Sequence, residues 1–287
     1  MADTEAHGRT IEDTHFYIDN APPTEVIAVL RVLSTDAGMT PDEIASAVER
    51  DGGFQMQRDH TYSPRRLADI GVASQARSGT KVIYTLPSRG ARLQGILGTS
   101  ESLVKDILHY LHYSSFAWRP QDRKYLWSYR RCCQHTWARS AVVPPRELSA
   151  VVQEEMRSEF PGLDFGSRVG ARFNSTAASC VTTWLRALEP SPISESTRRL
   201  CPRTVDRYEL ALLSLDDLYR SRHYRYGDPV LLDDAVVDEM ASVFLLDKSC
   251  CLELLHLAAR LSPVVVLSDT LAGPSVNLLK AYTVDDL

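Results

Sequence analysis

Lysine is scarce in this chain: 5 residues against 27 arginines in a sequence of 287. Arginine's planar fork of donors suits phosphate and guanine better than the point charge of lysine does. Long apolar runs are missing too. None approaches the ~20 residues that cross a bilayer, and the opening MADTEAHGRT has neither the basic stretch nor the apolar core of a secretory signal. A cytoplasmic protein with no membrane partner is the expectation.

The six cysteines lack CxxC spacing, which argues against a zinc ribbon and a thioredoxin-type redox site. Cys132–Cys133 and Cys250–Cys251 are adjacent, Cys180 and Cys201 stand alone, and His135 adds no tetrahedral set, so buried, reduced thiols and no metal are expected. Enzyme signatures are wanting as well. Ser78-Gly79-Thr80-Lys81 lacks the upstream glycine of a phosphate loop, and Gly273-Pro274-Ser275-Val276 is not a nucleophile elbow. Asp233, Asp234, Asp238 and Glu239 read as a solvated or docking acidic face rather than a metal-dependent nuclease, which would need further partners. His109 and His112 read as surface or core histidines. No catalytic residue and no cofactor is assigned, and no internal repeat is visible.

The net charge of −5 hides a strong asymmetry. Residues 1–21 carry −4, 22–98 carry +1, 99–204 carry +5 and 205–287 carry −7. Between Arg58 and Arg92 there are seven basic and two acidic residues. Such local excess says more about partners than the total does.

The pattern predicts a mainly α protein with a small β-hairpin. Residues 1–21 are polar, acidic and aperiodic, and read as a disordered tail. Pro22–Pro23 opens a helix with Val26, Ile27, Leu30 and Leu33 at helical spacing. Thr40, Pro41 and Glu43 form a capping-box start for a second helix that stops before Gly52–Gly53. A short third helix from Pro64 to Ile70 ends at Gly71; a longer one from Gln55 would have to kink at Pro64. Val72–Arg77 and Lys81–Leu86 then make a hairpin around Ser78-Gly79-Thr80, and a fourth helix runs from Arg89 to about Leu97.

Three helices, a hairpin and a closing helix follow the winged helix-turn-helix plan. The run RRLADIGVASQARSGTKVIYTLPSRGARL resembles the reading helix, wing and next helix of MarR-, PadR- and ArsR-type bacterial regulators, with Leu67, Gly71–Val72 and Tyr84–Leu86–Gly90 in the matching places. The resemblance spans roughly residues 24–98 and implies a DNA-binding domain over 22–98. In such a domain the helix after the turn enters the major groove and the wing lies along the backbone. Arg58, His60, Tyr62, Ser63, Arg65 and Arg66 cluster at the start of that helix. Arg65 and Arg66 point about 100° apart, so one would meet bases and the other phosphate, with Tyr62 and Ser63 as phosphate contacts. Arg77, Ser78, Thr80 and Lys81 at the wing tip, with Arg89 beyond it, suit backbone contact.

Residues 99–204 read as a basic helical domain. Its helix from Asp122 to Arg139 mixes Tyr125, Trp127, Tyr129 and Trp137 with Arg123, Lys124, Arg130, Arg131 and Arg139. Tyr125, Tyr129, Cys133 and Trp137, spaced by four, face a core, leaving Arg123, Arg130 and Arg131 for the DNA backbone; stacking on single-stranded bases is the alternative. Helices from Pro145 and after Asn174 are candidates for a second helix-turn-helix, although the connection SEFPGLDFGSRVGARF is far longer than the usual turn. Residues 205–287 read as acidic helices, a strand over Val264–Leu267 and a terminal helix around Ser275–Tyr282, serving a homodimer or a protein partner.

Double-stranded DNA is the expected ligand. A transcriptional regulator is the first reading. A non-catalytic DNA-binding subunit of a phage-defence or DNA-processing complex is the second.

Overall fold

Capping and turn residues set the first elements. In the computed structural model, which describes residues 15–18, 20–56, 60–118, 123–163 and 172–287, Pro22 precedes α1 (Pro23–Val32) and Thr40 caps α2 (Pro41–Gly52). The capping box is complete: the Glu43 backbone N–H donates to the Thr40 hydroxyl, and the Glu43 carboxylate accepts from the Thr40 backbone N–H at 2.7 Å. Gly53, in the left-handed region at φ 67°, ends α2. The short α3 (Tyr62–Asp69) has no side-chain cap. Strands β1 (Ser74–Ser78) and β2 (Lys81–Thr85) pair antiparallel, with Ser78 opposite Lys81 across Gly79 at φ 62°. Met39 bridges antiparallel to Tyr84, giving β2 a second neighbour. Helix α4 (Ser88–Leu97) packs its Gly90 so tightly that a Cβ there would lie 2.1 Å from the Val72 carbonyl oxygen.

Helix α5 (Glu101–Trp118) lies at the centre and touches α4 and three later helices, α6 (Lys124–Ala138), α9 (Tyr208–Ser221) and α10 (Asp234–Phe244). Every residue from Asp106 to Ser115 is buried, so the helix has no wet face along that stretch. Beside it, α7 (Pro145–Glu159) packs on α8 (Ser175–Arg186), which Asn174 caps through the Ala177 N–H at 3.0 Å. Arg203 fastens the centre. Its fully buried guanidinium lies 2.7 Å from Asp106 and donates to the carbonyls of Glu189, Pro190 and Phe244. Arg207 holds the other Asp106 oxygen at 2.8 Å.

After α9 come β3 (Val230–Leu231), α10, α11 (Lys248–Leu261), β4 (Val265–Thr270) and β5 (Gly273–Leu278), then a 3-10 turn at Val284–Asp286. Asp233 caps α10 and Asp247 caps α11, and only Leu245, Leu246 and Asp247 separate the two helices. The sheet order is β3-β5-β4, all antiparallel. The helix expected around Ser275–Tyr282 is therefore a strand. Gly273 at φ 128° lets the chain reverse, and Ser275, Val276 and Leu278 are buried as β5 runs between two partners.

One order of elements thus occurs twice. Helix, short strand or bridge, helix, helix and hairpin run as α1, Met39, α2, α3, β1, β2 and again as α9, β3, α10, α11, β4, β5. In both, the early strand pairs with the second strand of the hairpin. The sequence carries no repeat to announce it.

The chain is mainly α, as expected, but it holds two small antiparallel sheets where one hairpin was expected; 11 α-helices occur among the described residues. The expectation of disorder through residue 21 reaches too far. Phe16 and Ile18 are at most 1% exposed, and the Phe16 ring packs 5.7 Å from Trp127 and 5.1 Å from Phe160. Burial of these two apolar side chains contributes to ordering the stretch. Residues 1–14 lie outside the described residues, as do 164–171 of the long connection. Buried side chains form one connected core across residues 98 and 204. Five cysteines are buried, but Cys201 is exposed; burial pushes the Cys132 and Cys133 thiols far up. No described helix is long and apolar enough to cross a membrane.

Candidate nucleic-acid interface

The turn between β1 and β2 presents its side chains to solvent: Arg77, Ser78, Thr80 and Lys81 are all exposed. Arg77 and Lys81 form no ion pair among the described residues. Arg77 stands opposite Val82 and Lys81 opposite Ser78, so strand alternation sends the two cations to opposite faces of the hairpin. Glycine at the tip costs nothing sterically, since a Cβ on Gly79 would meet no atom within 4 Å.

Helix α3 departs from the expected reading surface. Ser63 is fully buried and donates to the Glu25 carboxylate at 2.5 Å, so its hydroxyl is committed inward rather than to phosphate. Arg66 is 3% exposed, with its guanidinium 4.1 Å from the centre of the Tyr125 ring. The same 100° offset that separates Arg65 from Arg66 turns Arg66 toward the core. A desolvated guanidinium on an aromatic face is well placed there, because the ring quadrupole attracts it. Arg65 keeps 39% side-chain exposure and reaches Asp69 at 4.0 Å. His60 and Tyr62 are half-buried. Arg58 lies outside the described residues.

The remaining candidate cations are engaged by acids. Arg123 meets Asp69 at 2.8 Å, and Arg130 grips both oxygens of Asp217 at 3.1 and 3.0 Å while lying 4.6 Å over Tyr113. Arg131 bonds Glu159, with Glu155 at 3.7 Å, and Arg89 takes both oxygens of Asp285. The arginines of the aromatic helix therefore brace it against α3, α7 and α9 instead of forming a strip for the DNA backbone. Its aromatic side chains do face the core: Tyr125, Tyr129 and Cys133 are buried and Trp137 is half-buried.

The acidic cluster is likewise structural. Asp233 caps α10; Asp234 and Asp238 hold Lys248 at 3.1 and 2.9 Å; and Glu239 holds Arg222 at 2.5 Å. No group of three metal-ligating side chains occurs among the described residues. His109 and His112 are core histidines. The His109 Nδ1 pairs with the Tyr129 hydroxyl and its Nε2 with the Val243 carbonyl, both at 2.8 Å, which requires the neutral Nε2–H tautomer. Burial pulls its pKa down to about 4, and burial with the nearby Arg66 pulls His112 well below its ordinary value.

Sequence reasoning missed one cationic feature. A groove of about 210 Å³ between the start of α7 and the end of α8 is lined by Arg186 and Arg198 with Ser179, Thr182 and Thr183. Neither arginine forms an ion pair among the described residues. No spacing signal links them, since they meet through the turn after α8. Compared with protein families, curated proteins and solved structures, the chain matches none.

Proposed function

We propose that the protein binds double-stranded DNA through a winged-helix unit over residues 23–97, gripping the backbone with its hairpin and reading little sequence. The observation that carries this is the exposed turn with Arg77 and Lys81, neither in an ion pair among the described residues, beside a short α3 whose Arg66 and Ser63 are turned into the core. Cations beside small hydroxyls at a hairpin tip suit phosphate, whereas base readout needs side chains free to reach the groove edges. That balance favours a non-catalytic, sequence-tolerant DNA-binding subunit over a transcriptional regulator. Arg186 and Arg198 supply a further place where phosphate would be welcome.

Fluorescence anisotropy with random and own-promoter duplexes at several salt concentrations tests the reading. The parent protein is expected to bind both alike, and Arg77→Ala/Lys81→Ala to lower the salt slope by about two. Arg66→Ala is expected to lose stability with an unchanged slope. Absence of binding at low salt overturns DNA binding, and a slope indifferent to the hairpin pair overturns the hairpin grip. Strong preference for the own-promoter duplex restores the regulator.

A further inference from the structure

The second occurrence of the helix–strand–helix–helix–hairpin order presents a different surface. Between α11 and the β4–β5 hairpin runs a groove of about 300 Å³, lined by Leu232, Leu252, His256, Leu267, Ser268 and Asp269 among others. Exposed large apolar side chains are concentrated in this unit. Leu231, Leu261, Val266, Leu271 and Leu279 all belong to this unit, and among the described residues only Phe54 lies outside 224–279. Strand β4 is the edge of its sheet, with β5 on one side only, so one row of its backbone N–H and C=O groups has no partner strand. Edges of this kind are templates for an added strand unless charge, proline or a covering element blunts them.

Charge selects the occupant. Residues 205–287 hold fourteen acidic and seven basic residues. Glu253 and Asp269, beside the groove, are exposed and form no ion pair among the described residues. Of the α11 cations, Lys248 is held by Asp234 and Asp238, and Arg260 stands near the far end of the helix. A second copy would set one surplus of acid against another, and DNA would be repelled. We infer that α11 and β4 form a docking surface for a cationic segment of a partner protein, added to β4 as an extended strand with its apolar side chains in the groove. The inference does not rest on DNA binding by the first unit.

The test uses the full chain and defined probes: eight-residue peptides of alternating Lys and Val or alternating Glu and Val, and a short DNA duplex. The Lys–Val peptide is expected to bind one to one and to slow amide exchange in residues 265–270. Reversing the exposed acids by Glu253→Lys/Asp269→Lys is expected to weaken it about tenfold. Asp206→Lys/Asp228→Lys, an equal reversal of two charges at exposed positions elsewhere, is expected to leave it within about twofold. Equal binding of the Glu–Val peptide, equal effects of the two reversals, or protection away from β4 overturns the inference. So does a two-chain mass with β4 protected in the absence of peptide, which assigns the edge to a second copy, or protection of β4 by the duplex, which assigns it to nucleic acid.

Discussion

Residues 23–85 and 208–278 follow the same order of elements, yet the helix before the hairpin, α3 in one and α11 in the other, is held in place by different means. In the later unit, aspartate side chains cap both α10 and α11, and a three-residue turn fixes the angle between them. In the earlier unit, α3 has no side-chain cap and follows a longer connection from Gly53. Contacts from elsewhere position it instead: Ser63 on Glu25 of α1 and Arg66 on Tyr125 of α6. A helix secured by its own polar side chains has fewer of them left for a ligand. The later unit, secured by caps, keeps a long α11 whose exposed positions carry Ser249, Glu253, His256, Arg260 and Leu261, a mixed face. Element order and surface chemistry are thus set by different residues: on one topology, residues 22–98 carry +1 and residues 205–287 carry −7.

The largest expected effect comes from detaching the later unit from α5. Arg203 joins Asp106 of α5 to the end of α10; removing it leaves the buried Asp106 with Arg207 alone and takes a donor from three carbonyls, a loss of up to about 3–5 kcal/mol. Arg203→Ala is expected to lower the urea midpoint accordingly. Hydrogen exchange then separates the units: faster exchange in α10 and α11 with α1 to α4 still protected means that they open independently. Uniform loss of protection means that one cooperative core spans both.

Acid is expected to act at the same seam, with a smaller effect. His109 links α5 to Val243 in α10 and has its pKa lowered from 6.5 to about 4. Below pH 6.5 the unfolded chain takes up a proton that the folded chain refuses, so stability is complete above that pH and falls as pH drops toward 4. The loss from His109 reaches about 3 kcal/mol at the lower end, at 1.36 kcal/mol per pH unit. His112, also held neutral, acts in the same direction. Urea titrations at pH 7.5 and 4.5 measure this, and His109→Gln is expected to flatten the dependence.

Much of the first unit was legible in the sequence because its signals are local. Thr40-Pro41-x-Glu43, Gly71, and the Ser78-Gly79-Thr80 turn each fix backbone within a few residues, and α1 to α4 with their hairpin lie within a few residues of expectation. The partners of charged side chains were not legible. Arg89 meets Asp285, Arg130 meets Asp217 and Arg123 meets Asp69, at separations that no pattern encodes. A segment charge of +5 therefore did not become a +5 surface. Strand β5 was missed because Pro274 and Asn277 interrupt its apolar alternation, which is completed only by pairing with β3 and β4.

The smallest expected effect concerns a charge link between α4 and the terminal turn. Arg89 of α4 takes both oxygens of Asp285, and Arg92 bonds the Asp285 carbonyl, so the terminal turn sits on the helix that closes the first unit. At 30% and 50% side-chain exposure the pair lies in a well-screened setting, where such bridges contribute about 0–1 kcal/mol. A double-mutant cycle of Arg89→Ala and Asp285→Ala is expected to give a coupling in that range which shrinks as salt is added. Val284, 2% exposed, anchors the turn independently of charge, so Asp285→Asn should leave it docked while releasing the Arg89 guanidinium. If the first unit holds DNA by its backbone, that release adds up to about one to the salt slope. An unchanged slope would place Arg89 away from the DNA path and leave the hairpin cations to carry the contact alone.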